Sequence, residues 1–99
     1  MVFEVEITEA ALAEAEEYVR FIRDARKDPL AAERWWNGLL AEIFSLETLP
    51  KRCPIIPERG HFTEEMRQLI YFSHRIIFFV SKRTVTVVRI YHGSRLPLQ

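Results

Sequence analysis

Residues 66–92, "MRQLIYFSHRIIFFVSKRTVTVVRIYH", decide the fold. Three runs within them, MRQLIY (66–71), RIIFFVSK (75–82) and TVTVVRIYH (84–92), are rich in the β-branched and aromatic side chains that suit a pleated, half-buried surface. Short polar breaks at Ser73 and Lys82-Arg83 separate the runs, so the stretch reads as a three-stranded meander. Alternation places Arg67, Leu69 and Tyr71 on one face of the first run. On the last run Val88, Ile90 and His92 share one face, and Arg89 and Tyr91 the other. Which face is buried depends on pairing register, which alternation leaves open.

Upstream, "VFEVEI" alternates Phe3, Val5 and Ile7 against Glu4 and Glu6, the period of a strand with one buried face. Thr8 then offers an oxygen to the first free amides of a helix, and Glu9 suits that helix's positive end. Apolar positions Ala11, Ala15, Tyr18, Ile22 and Ala25 recur at helical spacing and carry the helix to about Lys27. Asp28 and Pro29 are a cap and a first-turn residue. A second helix follows with Ala32, Trp36, Leu39, Ile43 and Leu46 on one stripe, stopping before Pro50. The two helices form an antiparallel hairpin. "PKRCPIIPERG" (50–60), with three prolines and a glycine, is a loop. The predicted order is β-α-α-β-β-β. That is an α+β fold, a single domain over 1–99, in which a helical hairpin packs on one face of a mainly antiparallel four-stranded sheet. The other face is left to water or to a partner.

The chain's 99 residues, 48% hydrophobic, suffice for one core and leave no room for a second domain. The longest apolar run, Ile76 to Val80, falls far short of the roughly 20 residues a membrane helix needs. With no basic-then-apolar leader pattern, a cytoplasmic protein is expected. The lone Cys53 reads as a packing residue, with Lys51 and Arg52 giving only a faint case for a reactive thiol. His61, His74 and His92 have no metal-ligand spacing, so neither a metal nor a cofactor is expected. The formal net charge is zero, yet residues 1–50 carry five Lys/Arg against eleven Asp/Glu, and residues 51–99 carry nine against three. The two halves are electrically opposite. Either the basic half meets an acidic partner or polyanion, or the halves attract each other across the fold.

"FEVEIT", "DPLAAERWWNGLLAEIFSLETLP", "RCPIIPE", "MRQLIY", "HRIIFFV" and "VVRIYHGSR", in this order, resemble the RelE/ParE superfamily of toxins from type II toxin–antitoxin systems, also called plasmid stabilisation proteins. The "RCPIIPE" loop and "IYHGSR" ending are more similar to the ParE-type branch than to RelE. The resemblance implies two alternative activities on one fold. ParE-like members act on DNA gyrase. RelE-like members are endoribonucleases that cut messenger RNA on the ribosome, where the ribose 2′-hydroxyl attacks the neighbouring phosphate.

For the second route the resemblance points to Arg67 as a phosphate-stabilising cation, His92 as acid or base, and Glu58 as a base. Each has a plain competitor: Arg67 as a strand arginine paired with a helix carboxylate such as Glu42, His92 as a structural histidine, and Glu58 as a solvated loop residue. No role is assigned to His61 or His74, and Trp35 reads as packing at the border of the core. Gly93 stands where some cleaving relatives have a tyrosine, and Lys51 is the only lysine in a region where RelE uses several. The resemblance also implies a cognate antitoxin, whose C-terminal segment folds over the toxin in a hetero-oligomer. Arg59, Arg75, Arg89 and Arg95 are candidate contacts to that antitoxin or to the target, which is gyrase or the ribosome with its message. A third alternative is an antitoxin-binding remnant that has lost toxicity.

Overall fold

The computed structural model of the chain describes residues 2–58 and 62–93, so Arg59, His61 and Arg95 lie outside the described residues. Strand β1 (Glu4–Ile7) leads into helix α1 (Glu9–Arg20), which continues as a π-helical turn over Phe21–Ala25. Helix α2 (Pro29–Phe44) is followed by short 3-10 turns at Ser45–Glu47 and Pro50–Arg52. Strands β2 (Arg67–Tyr71), β3 (His74–Ser81) and β4 (Thr84–His92) complete the expected β-α-α-β-β-β order.

Local chemistry sets the helix ends. The Thr8 hydroxyl accepts a hydrogen bond from the Ala11 amide at 3.2 Å, and the Asp28 carboxylate accepts one from the Ala31 amide at 3.0 Å with Pro29 at the first turn. The last turn of α1 is wider than the periodicity predicts, with the Arg26 amide reaching back to the Phe21 carbonyl at 3.2 Å. Lys27 then leaves the helix at φ 54°.

One sheet runs in the order β1-β4-β3-β2, with β1 parallel to β4 and the other pairs antiparallel. Its helix-facing side holds the main core: Leu39, Ile43 and Leu46 pack on Ile76, Phe78, Val85 and Val87. Ala11 and Ala15 are buried to 1% exposure or less, and such small side chains let α1 lie close to the sheet.

Two features depart from the sequence reading. First, the ladder between β3 and β4 slips, so that Ile77 faces Arg89 while Phe78 faces Val87, and Val88 is the extra residue. Simple alternation would put Val88 with Ile90; instead Ile90 joins the main core and Val88 turns to the opposite face. Side chains serve the backbone beside this bulge: the Thr8 hydroxyl donates to the Val88 carbonyl at 3.3 Å, and Glu14 accepts from the Ile90 amide at 2.9 Å.

Second, the far face of the sheet is not all left to water. Ile56, Ile77 and Tyr91 are buried together there, with Phe62, Met66 and Val88 packed around them. The proline-rich segment runs along the edge of β2, where the Gln68 amide donates to the Pro54 carbonyl and the Ile56 amide to the Met66 carbonyl, both at 3.0 Å. Those two bonds satisfy part of an exposed strand edge and turn Ile56 onto the sheet. Among the described residues no helix is long and apolar enough to cross a membrane.

Candidate functional site

The nominated arginines among the described residues, Arg67, Arg75 and Arg89, are each held by specific partners. Arg67 opens β2, where its guanidinium donates to the carbonyls of Cys53 (2.6 Å) and Lys51 (3.2 Å) and to the Glu65 carboxylate (2.8 Å). The expected pairing with Glu42 is therefore replaced by a contact two residues away and by two loop carbonyls. Arg67 ties the proline-rich segment to the sheet, and its side chain is 15% exposed.

Arg75 lies on the far face of β3. Its guanidinium makes a two-pronged pair with Glu58 at 2.8 and 2.9 Å, and also donates to the Gln68 side chain (2.8 Å) and the Tyr91 hydroxyl (2.7 Å). Glu58, nominated as a base with a solvated loop residue as the alternative, has a side chain only 8% exposed. The bond to Glu58 raises the Arg75 pKa further above its usual range, so the guanidinium is a permanent cation. Arg89, at the bulge, pairs in the same two-pronged way with Glu14 of α1 at 3.0 and 2.8 Å. Both cations lie over the Tyr91 ring, the Arg75 guanidinium carbon 5.5 Å and that of Arg89 5.1 Å from its centre. Burial pushes the Tyr91 pKa up, against the smaller downward pull of Arg75.

His92 ends β4, directly after Tyr91 and at the opposite end of the sheet from Arg67. It pairs across strands with His74, and their rings lie 5.3 Å apart, edge to face. His74, given no role from sequence, is 3% exposed and forms part of an aromatic seam. Its ring contacts Tyr18 of α1 at 4.3 Å and Trp35 of α2 at 5.1 Å, and Trp35 contacts Tyr71 at 5.8 Å. This seam separates two depressions. One, about 250 Å³, is lined by Glu14, Glu17, Phe21, Tyr91 and His92 along with the shared Tyr18 and His74. The other, about 420 Å³, opens between the helical hairpin and the β2–β3 turn. Periodicity could not reveal the seam, because its members come from four elements; the density of aromatics around the β2–β3 break was the one available signal.

The structure does not bring Arg67 and His92 together. Arg67 pairs with Phe78, whereas His92 pairs with His74 four positions along the same strand. At strand spacing that is about 13 Å along the sheet, with two strand gaps of about 5 Å across it. Glu58 is committed to Arg75. Cys53 is buried, and burial raises its thiol pKa, the opposite of what a nucleophile requires. Among the described residues no three His, Cys, Asp or Glu side chains are grouped to hold a metal ion.

The fold has close relatives in shape. A chain of the chromosomal ParDE toxin–antitoxin system from P. aeruginosa superposes with a TM-score of 0.74 at 14% identity, covering 92% of this chain and 96% of that one. A chain of the archaeal RelE–RelB complex from Pyrococcus horikoshii OT3 gives a TM-score of 0.58 at 15% identity, covering 97% and 100%. At such identities these likenesses speak to fold. No curated protein sequence shows significant similarity to this chain. The family model for the ParE toxin of the type II toxin–antitoxin system parDE matches residues 5–97, nearly the whole length from β1 past the end of β4. The chain belongs to the ParE toxin family of type II toxin–antitoxin systems.

Proposed function

We propose that this chain is the growth-inhibiting toxin of its system, that it acts on DNA gyrase without cutting RNA, and that a cognate antitoxin neutralises it. The observation that carries the choice of target is the dispersal of the nominated nuclease set. Cleavage of a phosphodiester by 2′-hydroxyl attack needs an acid, a base and a phosphate-binding cation around one phosphorus atom, within hydrogen-bond reach of it. Here the cation is about 13 Å along the sheet from the histidine and is engaged by loop carbonyls, while the carboxylate is paired with a different arginine. A gyrase inhibitor needs no such convergence. Arg59 and Arg95, on the flanks of the basic half, remain proposed contacts to target or antitoxin. For Arg75 and Arg89, which already hold carboxylates, a contact role would add to a structural one. The antitoxin is proposed to fold its C-terminal segment over the toxin, acidic side chains answering the basic half of the chain.

Purified toxin tested in parallel for inhibition of gyrase supercoiling and for cleavage of messenger RNA on programmed ribosomes separates the readings. Loss of supercoiling with intact message is expected, and the inhibition should survive His92→Ala. Cleavage abolished by His92→Ala would make the protein an RNA-cutting enzyme with an unusual site that includes His92. A folded product that is harmless when expressed without its antitoxin would mean that only antitoxin binding is retained.

A further inference from the structure

The depression of about 420 Å³ between the helical hairpin and the β2–β3 turn has an unusual lining. Arg26 and Arg34 stand along it, both exposed and neither in an ion pair with a described residue, and among the described residues no carboxylate lines it. This is a local cationic site within the half of the chain that carries eleven acids against five bases. Its walls are aromatic, with Tyr18 and Trp35 from the helices, Tyr71 from β2 and Phe72 from the turn.

Phe72 supplies the second, independent observation. Tyr71 pairs with His74, so Phe72 and Ser73 form a two-residue turn, and Phe72 takes its first position at φ 52°. Glycine or asparagine adopts that backbone most readily, and for a bulky aromatic it is a strained conformation. The ring is also 79% exposed, the most exposed large hydrophobic side chain among the described residues. Lys27, Leu49 and Lys82 share the positive φ, but of the four only Phe72 sets an exposed aromatic ring on this groove, and strain kept at a surface aromatic beside a cationic groove points to function.

Two arginines in a lining without carboxylates select an anion, and an exposed ring beside aromatic walls selects a planar group. We propose that this groove binds a nucleotide, its phosphate held by Arg26 and Arg34 and its base stacked on Phe72. The volume lies within the range of small-ligand pockets. The site is separate from the Arg67, Glu58 and His92 positions, so it stands whether gyrase or RNA is the target. A free mononucleotide and the 5′ end of a single strand share this chemistry.

The test uses the full chain in a Trp36→Phe background, which leaves Trp35, in the wall of the groove, as the sole indole. Deoxyadenosine 5′-monophosphate is expected to quench its fluorescence saturably, with deoxyadenosine and inorganic phosphate each binding at least about tenfold more weakly. A 5′-phosphorylated single-stranded oligonucleotide binding more tightly than the mononucleotide would support a strand end as the ligand, and equal binding a free nucleotide. Phe72→Asn separates function from folding: it should raise the melting temperature by relieving the turn, yet weaken nucleotide binding at least about fivefold. Arg26→Gln with Arg34→Gln should abolish the discrimination against deoxyadenosine. The proposal is overturned if the mononucleotide fails to saturate by about 10 mM, a concentration corresponding to negligible affinity. It is equally overturned if phosphate alone binds as well, or if Phe72→Asn leaves binding unchanged.

Discussion

Gly38 shows how one residue can be set by a partner far away in sequence. In the middle of α2 a glycine costs about 1 kcal/mol relative to alanine, so Gly38→Ala ought to stabilise an isolated helix. In this fold a Cβ at that position would run into the Tyr71 hydroxyl, which donates to the Trp35 carbonyl at 3.0 Å. We expect Gly38→Ala to destabilise by about 1–3 kcal/mol, and to cost at least about 1 kcal/mol less when Tyr71→Phe has already removed the hydroxyl. A denaturant double-mutant cycle reads this coupling, and strict additivity would show that the Tyr71 ring moves aside without cost. Nothing in the sequence links positions 38 and 71. Cys53, by contrast, was legible: a lone cysteine among prolines reads as packing, and it is 4% exposed with its thiol pKa raised by burial. Its reaction with an aromatic disulfide at mildly alkaline pH should be at least about tenfold slower in the native protein than in the unfolded chain. Equal rates would mean that the loop opens freely.

The helices and strands were legible because each is written in local chemistry. Thr8 and Asp28 announce the helix starts, the β-branched runs announce the strands, and Ser73 and Lys82-Arg83 mark the two hairpin turns. What the sequence concealed are the elements set by long-range backbone bonds. The bulge at Val88 depends on the ladder to β3, and the loop cover depends on two amide bonds to the edge of β2. The partners of the nominated residues were hidden for the same reason. Arg67 and Glu58 are residue types a phosphoryl site would use, and the fold gives Arg67 to loop carbonyls and Glu58 to Arg75. The Glu58–Arg75 pair fastens the loop over Ile56, Ile77 and Tyr91. Arg75→Met would leave the Glu58 carboxylate in a site where it is 8% exposed, at a cost of about 3 kcal/mol. Combining it with Glu58→Gln should recover part of that loss, because a neutral amide is cheaper to bury than a carboxylate deprived of its two-pronged guanidinium. Urea unfolding of the two variants decides: if the double variant is no more stable than Arg75→Met, the carboxylate is not the source of the cost.

At the scale of the molecule, ion pairs among the described residues take up little of the opposite charge of the two halves. Of the four ion pairs among the described residues, only Arg89–Glu14 joins the first half to the second. Charge left unpaired among the described residues is available to a partner, in keeping with the proposed acidic antitoxin segment. Association with that antitoxin should therefore slow by more than about tenfold between roughly 0.05 M and 0.5 M salt, and a flat response in stopped-flow mixing would remove charge steering from the account.

Stability at alkaline pH tests both cores at once, because Tyr71 closes the helix-facing core and Tyr91 the core under the loop. Burial raises both phenol pKa values, with Glu42 adding to the effect at Tyr71 and Arg75 opposing it at Tyr91. The unfolded chain, with phenols near pKa 10, loses these protons before the folded protein does. A raised folded pKa thus contributes stability that is intact below about pH 10 and declines as pH rises toward the folded values, by up to about 1.4 kcal/mol per pH unit for each group. The buried Cys53 thiol acts with the same sign from its own lower starting point, near pH 8.5–9. Urea unfolding between about pH 8 and pH 11 should show this decline. Tyr91→Phe should flatten it by one group's share, and Tyr71→Phe by another. A slope unchanged in both variants would mean that neither phenol is held in its neutral form by the fold, and that the alkaline loss has its origin in Cys53 or in the surface charge.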